Sequence, residues 1–88
     1  MNINIWYVYI IRCKDNSLYI GRTRNIKRRI EEHNIGNGSL YTKNKIPIIL
    51  VYLEKLKTEN EAYKREFQIK GWSRIKKDNL IKYGKPVL

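Results

Sequence analysis

Sulfur is nearly missing from this 88-residue chain: Cys13 is the only cysteine and Met1 the only methionine. A single thiol forms no disulfide within the chain and no thiolate-rich zinc site, which fits a reducing compartment. Histidine is as scarce. His33 stands alone, so a His-rich metal centre is excluded. No apolar run approaches the ~20 residues that a membrane-spanning helix needs. The start, Met1-Asn2-Ile3-Asn4-Ile5-Trp6, lacks the basic residues and long apolar stretch of a signal peptide. We therefore expect an unprocessed cytoplasmic protein with no membrane partner and no disulfide partner. Acidic residues are few: 8 Asp and Glu stand against 19 Lys and Arg, a formal net charge of +11. So basic a chain points to a polyanion, whether DNA, RNA or an acidic membrane surface.

What is present argues for a folded core. Seven Tyr, two Trp and many Ile are poor disorder formers. The length allows one domain, spanning residues 1–88, and not two. Residues 5–12 are β-branched and aromatic and read as a strand. Asp15-Asn16-Ser17 is a turn cluster, and residues 18–22 resume the strand pattern, so the pair reads as an antiparallel hairpin. A helix over residues 25–34 follows, capped by Asn25 or Thr23. Residues 35–45 read as a mobile basic loop. A third strand runs from Ile48 to Leu53. Thr58-Glu59-Asn60-Glu61 matches a capping box for a helix ending near Lys70, with Gly71 as its stop. Ser73 caps a last helix over 74–82. The expected class is α/β (α+β): a three-stranded, mainly antiparallel sheet flanked by helices, in the order β-β-α-β-α-α.

Alternation along the strands sorts the side chains. Tyr7 and Tyr9 share one face; Trp6, Val8 and Ile10 share the other. Tyr19 and Gly21 likewise share a face. Three tyrosines beside a glycine make either cross-strand packing or a surface that a ligand can approach. On the first helix Ile26, Arg29, Ile30 and His33 form one inward stripe. A chain of this charge has few carboxylates to satisfy an inward Arg–His pair, so a phosphate is a natural partner for the planar guanidinium. His33 can instead cap a helix-end carbonyl. Arg28 and Glu32 read as a solvent pair. On the second helix Glu66 shares a stripe with Ala62 and Ile69. It reads either as an i,i+4 partner of Lys70 or as a single carboxylate for hydrated Mg²⁺. Cys13 reads as packing.

Together these positions resemble a known family. Tyr7-Val8-Tyr9, nine intervening residues and Tyr19-Ile20-Gly21 are similar to the paired tripeptides that name the GIY-YIG nuclease superfamily. The segment from Gly21 to His33 resembles its helix, and Ala62 to Lys70 resembles the segment with its metal glutamate. The likeness runs from about Trp6 to Leu80; Tyr7 replaces the glycine of the name. The resemblance implies catalytic roles for Tyr9, Tyr19, Arg29 and His33 and a metal-ligand role for Glu66, with one Mg²⁺ or Mn²⁺ as cofactor. Gly21 and Arg22, with Lys43 and Lys45 of the basic loop, are expected to meet nucleic acid, DNA first. Short stand-alone bacterial proteins resemble this chain most. The superfamily also includes homing endonucleases, an excision-repair incision domain and structure-specific endonucleases. Those usually carry a separate DNA-binding domain, and none is expected here.

The implied activity is metal-dependent endonucleolytic hydrolysis of a phosphodiester. Glu66 would hold the ion, Arg29 would stabilise charge on phosphate, and Tyr9 or Tyr19 would deprotonate water. A phenol with a reference pKa near 10 needs adjacent positive charge for that task. Two alternatives stand beside this reading: a non-catalytic nucleic-acid-binding module of the same fold, and a small ribosome-associated basic protein.

Overall fold

The computed structural model describes residues 5–86. Residues 1–4, on which the expectation of an unprocessed start partly rests, lie outside them. Six elements follow in the expected order: β1 (Trp6–Arg12), β2 (Leu18–Thr23), α1 (Ile26–Asn34), β3 (Ile49–Leu56), α2 (Glu59–Lys70) and α3 (Arg74–Tyr83). The fold is α+β. β1 is the central strand, antiparallel to both neighbours in a sheet of order β2-β1-β3.

The hairpin turn works as its residues dictate. The Asp15 carboxylate accepts a bond from the Ser17 amide at 3.0 Å, and Asn16 takes the left-handed conformation at φ 71°. β3 runs three residues beyond the expected Leu53, because its pairing with β1 continues to Leu56 opposite Trp6. Glu54 and Lys55 look like a strand end in the sequence. An edge strand, however, needs only one side of its backbone paired, and it tolerates charged side chains.

Each helix starts on a side-chain cap. Asn25 Oδ1 accepts from the Arg28 amide at 3.1 Å, Thr58 Oγ1 from Glu61 at 3.1 Å and Ser73 Oγ from Lys76 at 3.3 Å. Glu61 closes its box on the Lys57 amide at 3.1 Å, one residue before the cap. Gly84 ends α3 in the left-handed conformation at φ 78°. Gly71 ends α2 in an ordinary right-handed one.

Both sheet faces are covered. Val8, Ile10 and Ile20 pack with Ala62, Ile69 and Leu80 in one core. On the other face Tyr9, Ile11, Cys13 and Ile48 form a second core, flanked by Tyr19, Ile26, Ile30 and Ile46. Cys13 is therefore packing, as its place at the end of an apolar strand implied. The segment 35–45 is not loose. Its end is tied where Lys14 donates its amide to the Lys45 carbonyl at 2.8 Å, and the residues on its two sides are joined where Ile48 donates to Asn34 Oδ1 at 2.9 Å. Thr42, within it, is fully buried. Folding back in this way covers the tyrosine face that alternation alone leaves open.

Candidate active site

A polar groove of about 260 Å³ lies beside β2, an edge strand. It is lined by Trp6 and Tyr9 from β1, Tyr19, Gly21 and Arg22 from β2, Arg29 from α1, and Glu59 and Glu66 from α2. The two phenols, the guanidinium and the carboxylate singled out in the sequence thus meet in one place. The register explains part of this. Tyr9 stands opposite Gly21, and Ile11 opposite Tyr19, so Tyr9, Tyr19 and Gly21 share the face that α1 covers.

Tyr9 forms the floor and is fully buried. A Cβ on Gly21 would come within 2.6 Å of Tyr9 Cζ. The space that glycine opens is therefore filled by the Tyr9 ring, not left for a ligand. The Tyr9 hydroxyl accepts from Arg29 Nε at 3.3 Å and lies 3.0 Å from His33 Nε2. His33 Nδ1 in turn lies 2.8 Å from Thr42 Oγ1. These contacts fix the protons. With no solvent at its hydroxyl, Tyr9 must donate its one hydrogen to His33 Nε2, which leaves His33 Nδ1–H to donate to Thr42.

The electrostatics agree with that tautomer. Burial first, and then the Arg29 charge, lower the His33 pKa to about 4; Glu32 opposes them. The imidazole is neutral at physiological pH, so it is available as an acceptor. Burial raises the Tyr9 pKa to about 12, against the hydrogen bond and charge of Arg29. Positive charge was expected to make either phenol a base. At Tyr9 the loss of solvent outweighs it, and the phenol stays protonated. His33 does not reach the groove; it stands behind Tyr9 and holds it.

Tyr19 is only half buried and lines the groove. Its ring meets His33 edge-on at 5.3 Å and stacks on Tyr41 at 5.9 Å. Arg29 Nη1 donates to Glu32 at 3.2 Å, which supplies the local carboxylate that composition makes scarce. Glu32 was expected to pair with Arg28; the inward arginine takes it instead. Lys45 lies 3.5 Å over the Tyr41 ring and 3.6 Å from Asp15, and Lys43 is exposed. Neither lysine lines the groove.

Glu66 is almost buried, with 8% exposed. Its Oε1 accepts from Arg22 Nη1 at 2.8 Å and its Oε2 from Lys70 Nζ at 2.6 Å. The lysine pairing suggested by the i,i+4 spacing is present, and it joins the half-exposed Lys70 to the almost buried carboxylate. Each oxygen faces a cation, so the position suits positive charge. Among the described residues no three His, Cys, Asp or Glu side chains cluster as a metal cage. A single carboxylate lining a polar groove, once its bond to Arg22 is exchanged, fits an ion that keeps most of its waters, as Mg²⁺ does, and not an all-protein site.

Sequence reasoning missed Glu59 and Thr42. Glu59 Oε2 lies 3.9 Å from Arg22 Nη2 at the groove rim. In the sequence it reads as an ordinary acidic residue in a first helical turn. Thr42 sits in a supposed loop and carries no signal.

The fold and this constellation define a GIY-YIG nuclease-type domain. A profile of the GIY-YIG catalytic domain matches residues 5–79, and the chain belongs to that family. Within it, the chain is 51% identical over 75 residues to the UPF0213 protein SH2523 of Staphylococcus haemolyticus, covering 85% of this chain and 92% of that protein. It is 51% identical over 78 residues to SSP2268 of Staphylococcus saprophyticus, covering 89% and 95%. Two solution structures share the fold. The UPF0213 protein BH0048 of Bacillus halodurans superposes with a TM-score of 0.59 at 40% identity, over 89% of this chain and 83% of that one. EF2693 of E. faecalis gives 0.63 at 37% identity, over 92% and 86%. Among the described residues no helix is long and apolar enough to cross a membrane.

Proposed function

We propose that this chain is a metal-dependent endonuclease of the cytoplasm that hydrolyses phosphodiester bonds, with DNA as its first substrate. The observation that carries the reading is the meeting of Tyr9, Tyr19, Arg22, Arg29 and Glu66 in one polar groove. A divalent ion, Mg²⁺ or Mn²⁺, held by Glu66 would supply Lewis-acid charge at the scissile phosphate.

The chain's own residues divide the remaining work. Arg29 is anchored through Nε and Nη1 to Tyr9 and Glu32, which holds its planar fork at the groove. It would stabilise negative charge developing on a non-bridging oxygen. Arg22 would bind phosphate after exchanging its bond to Glu66 for one to the substrate. Tyr19, the half-buried phenol of the pair, would orient and deprotonate the attacking water. Tyr9, protonated and enclosed, is a positioning residue that fixes Arg29, with His33 fixing Tyr9 in turn.

The test is nicking of supercoiled plasmid and cleavage of a panel of structured DNAs and RNAs, with Mg²⁺, with Mn²⁺ and with chelator. Cleavage that needs the metal and disappears in Arg29→Ala supports the reading. A second reading, a binding module without turnover, draws on one observation: both Glu66 oxygens are already ion-paired. Tight, metal-independent binding with no strand scission by the wild-type chain would establish it instead.

A further inference from the structure

Beside the groove lies a second hollow of about 280 Å³, lined by Arg22, Glu59, Asn60 and Tyr63. Arg22 and Glu59 line both, so the two spaces adjoin at these side chains. Its wall is aromatic. Tyr63 is 52% exposed and Phe67, one helical turn on, is 71% exposed. Their ring centroids are 6.5 Å apart at 31°. The Arg22 guanidinium stands 5.2 Å from the Tyr63 ring centroid.

Core packing does not account for this pair. α2 buries Ala62, Glu66 and Ile69, and Tyr63 and Phe67 point away from that stripe. An apolar patch of this kind has several conceivable occupants, and charge selects among them. The Arg22 guanidinium stands against the Tyr63 ring, and the chain as a whole carries a net charge of +11. Flat, sequence-tolerant stacking surfaces set in positive charge are how proteins hold the bases of unpaired strands.

Resting on the nuclease reading above, we infer that Tyr63 is the stacking wall of a nucleobase subsite next to the scissile phosphate, and that the substrate is unpaired there. Asn60 presents an amide that both donates and accepts, and Glu59 a carboxylate that accepts. These groups suit the edge of a base that has left its stack. Arg22 joins the subsite to the groove, with its guanidinium between the Tyr63 ring and Glu66. Phe67 extends the wall to the neighbouring base. A base inside a continuous duplex is stacked and paired and cannot enter. The favoured substrates are therefore single strands, overhangs, bulges or branch points.

The experiment measures binding without metal, so that no strand is cut. A fluorescent 12-nucleotide single strand, a strand of the same length with every position abasic, and the blunt duplex are titrated with wild type, Tyr63→Leu and Tyr63→Phe. Both substitutions lie on an exposed helix face, and circular dichroism checks the fold. Tyr63→Leu weakens binding of the normal strand about tenfold, Tyr63→Phe restores it, and the duplex is unaffected. The abasic strand, having no base to stack, loses little to the substitution. Equal single-strand affinity in Tyr63→Leu and wild type overturns the subsite but leaves the nuclease reading standing. An unchanged affinity with an altered molar mass by light scattering assigns the aromatic face to self-association instead. Failure of the wild type to bind any of the three overturns the subsite and the nucleic-acid partner together.

Discussion

The Tyr9 hydroxyl and His33 Nε2 lie 3.0 Å apart, and both residues are fully buried. Tyr9→Phe removes one oxygen and strands two groups, the imidazole acceptor and the Arg29 Nε donor. Leaving a buried acceptor unpaired costs about 1–3 kcal/mol, to be read as a shift of the urea midpoint. Activity should fall as well, because Arg29 loses an anchor. If the pH profile of the remaining activity is unchanged, Tyr9 is positioning Arg29; loss of a titrating limb would instead make Tyr9 the base.

Stability should depend on His33 between pH 6.5 and about 4. Its folded pKa is depressed, so the unfolded chain binds the proton first as pH falls. The contribution is fully present above pH 6.5 and is lost on the way down to about 4. Its size is up to about 3 kcal/mol. Melting temperatures at pH 7.5 and 4.5 measure it. A His33→Gln variant, which cannot titrate, should show a flatter dependence than wild type. Parallel curves for the two proteins would remove His33 as the source.

Gly21→Ala tests the floor of the groove. The new methyl collides with the Tyr9 ring and hydroxyl. Overpacking of this kind costs roughly 1–3 kcal/mol, and here it pushes Tyr9 off Arg29 as well. Thermal melting and cleavage should therefore fall together. A Gly21→Ala variant as stable and active as wild type would show that the close approach of Tyr9 and Gly21 is not required.

Arg22 competes with any cation for Glu66 Oε1, at 2.8 Å. Arg22→Gln should raise Mn²⁺ affinity in the absence of nucleic acid, read by electron paramagnetic resonance of free Mn²⁺. The same variant should lower the slope of log affinity against log salt for a DNA strand by about 1, because one phosphate contact is lost. Unchanged Mn²⁺ binding would place the ion elsewhere than on Glu66.

Much of this was readable from residue order, for physical reasons that differ by position. Thr58 and Ser73 fixed two helix starts because a hydroxyl before a helical run has one favourable use. The pairing of Tyr7 with Tyr9 and of Tyr19 with Gly21 on single strand faces followed from period-2 alternation. What local reasoning could not supply was long-range closure. The segment 35–45 looked loose because its tie to Lys14, and the bond from Ile48 to Asn34 that closes it off, involve residues far along the chain or generic in type. That closure lies against the tyrosine face, and the burial of Tyr9, which raises its pKa to about 12, bears on the choice between Tyr9 and Tyr19 that residue order leaves open. Glu66 was ambiguous for a similar reason. Its partner Lys70 is four residues away and legible, but Arg22 is 44 residues away and is brought there by the packing of α2 against β2.

The most direct test of the central claim is Glu66→Gln, which keeps the shape and one of the two acceptor oxygens while removing the charge that would hold the ion. Plasmid nicking in Mg²⁺ should drop about 100-fold or more, while metal-free DNA binding stays equal to or tighter than that of wild type. Nicking at the wild-type rate by the Glu66→Gln variant would contradict the account.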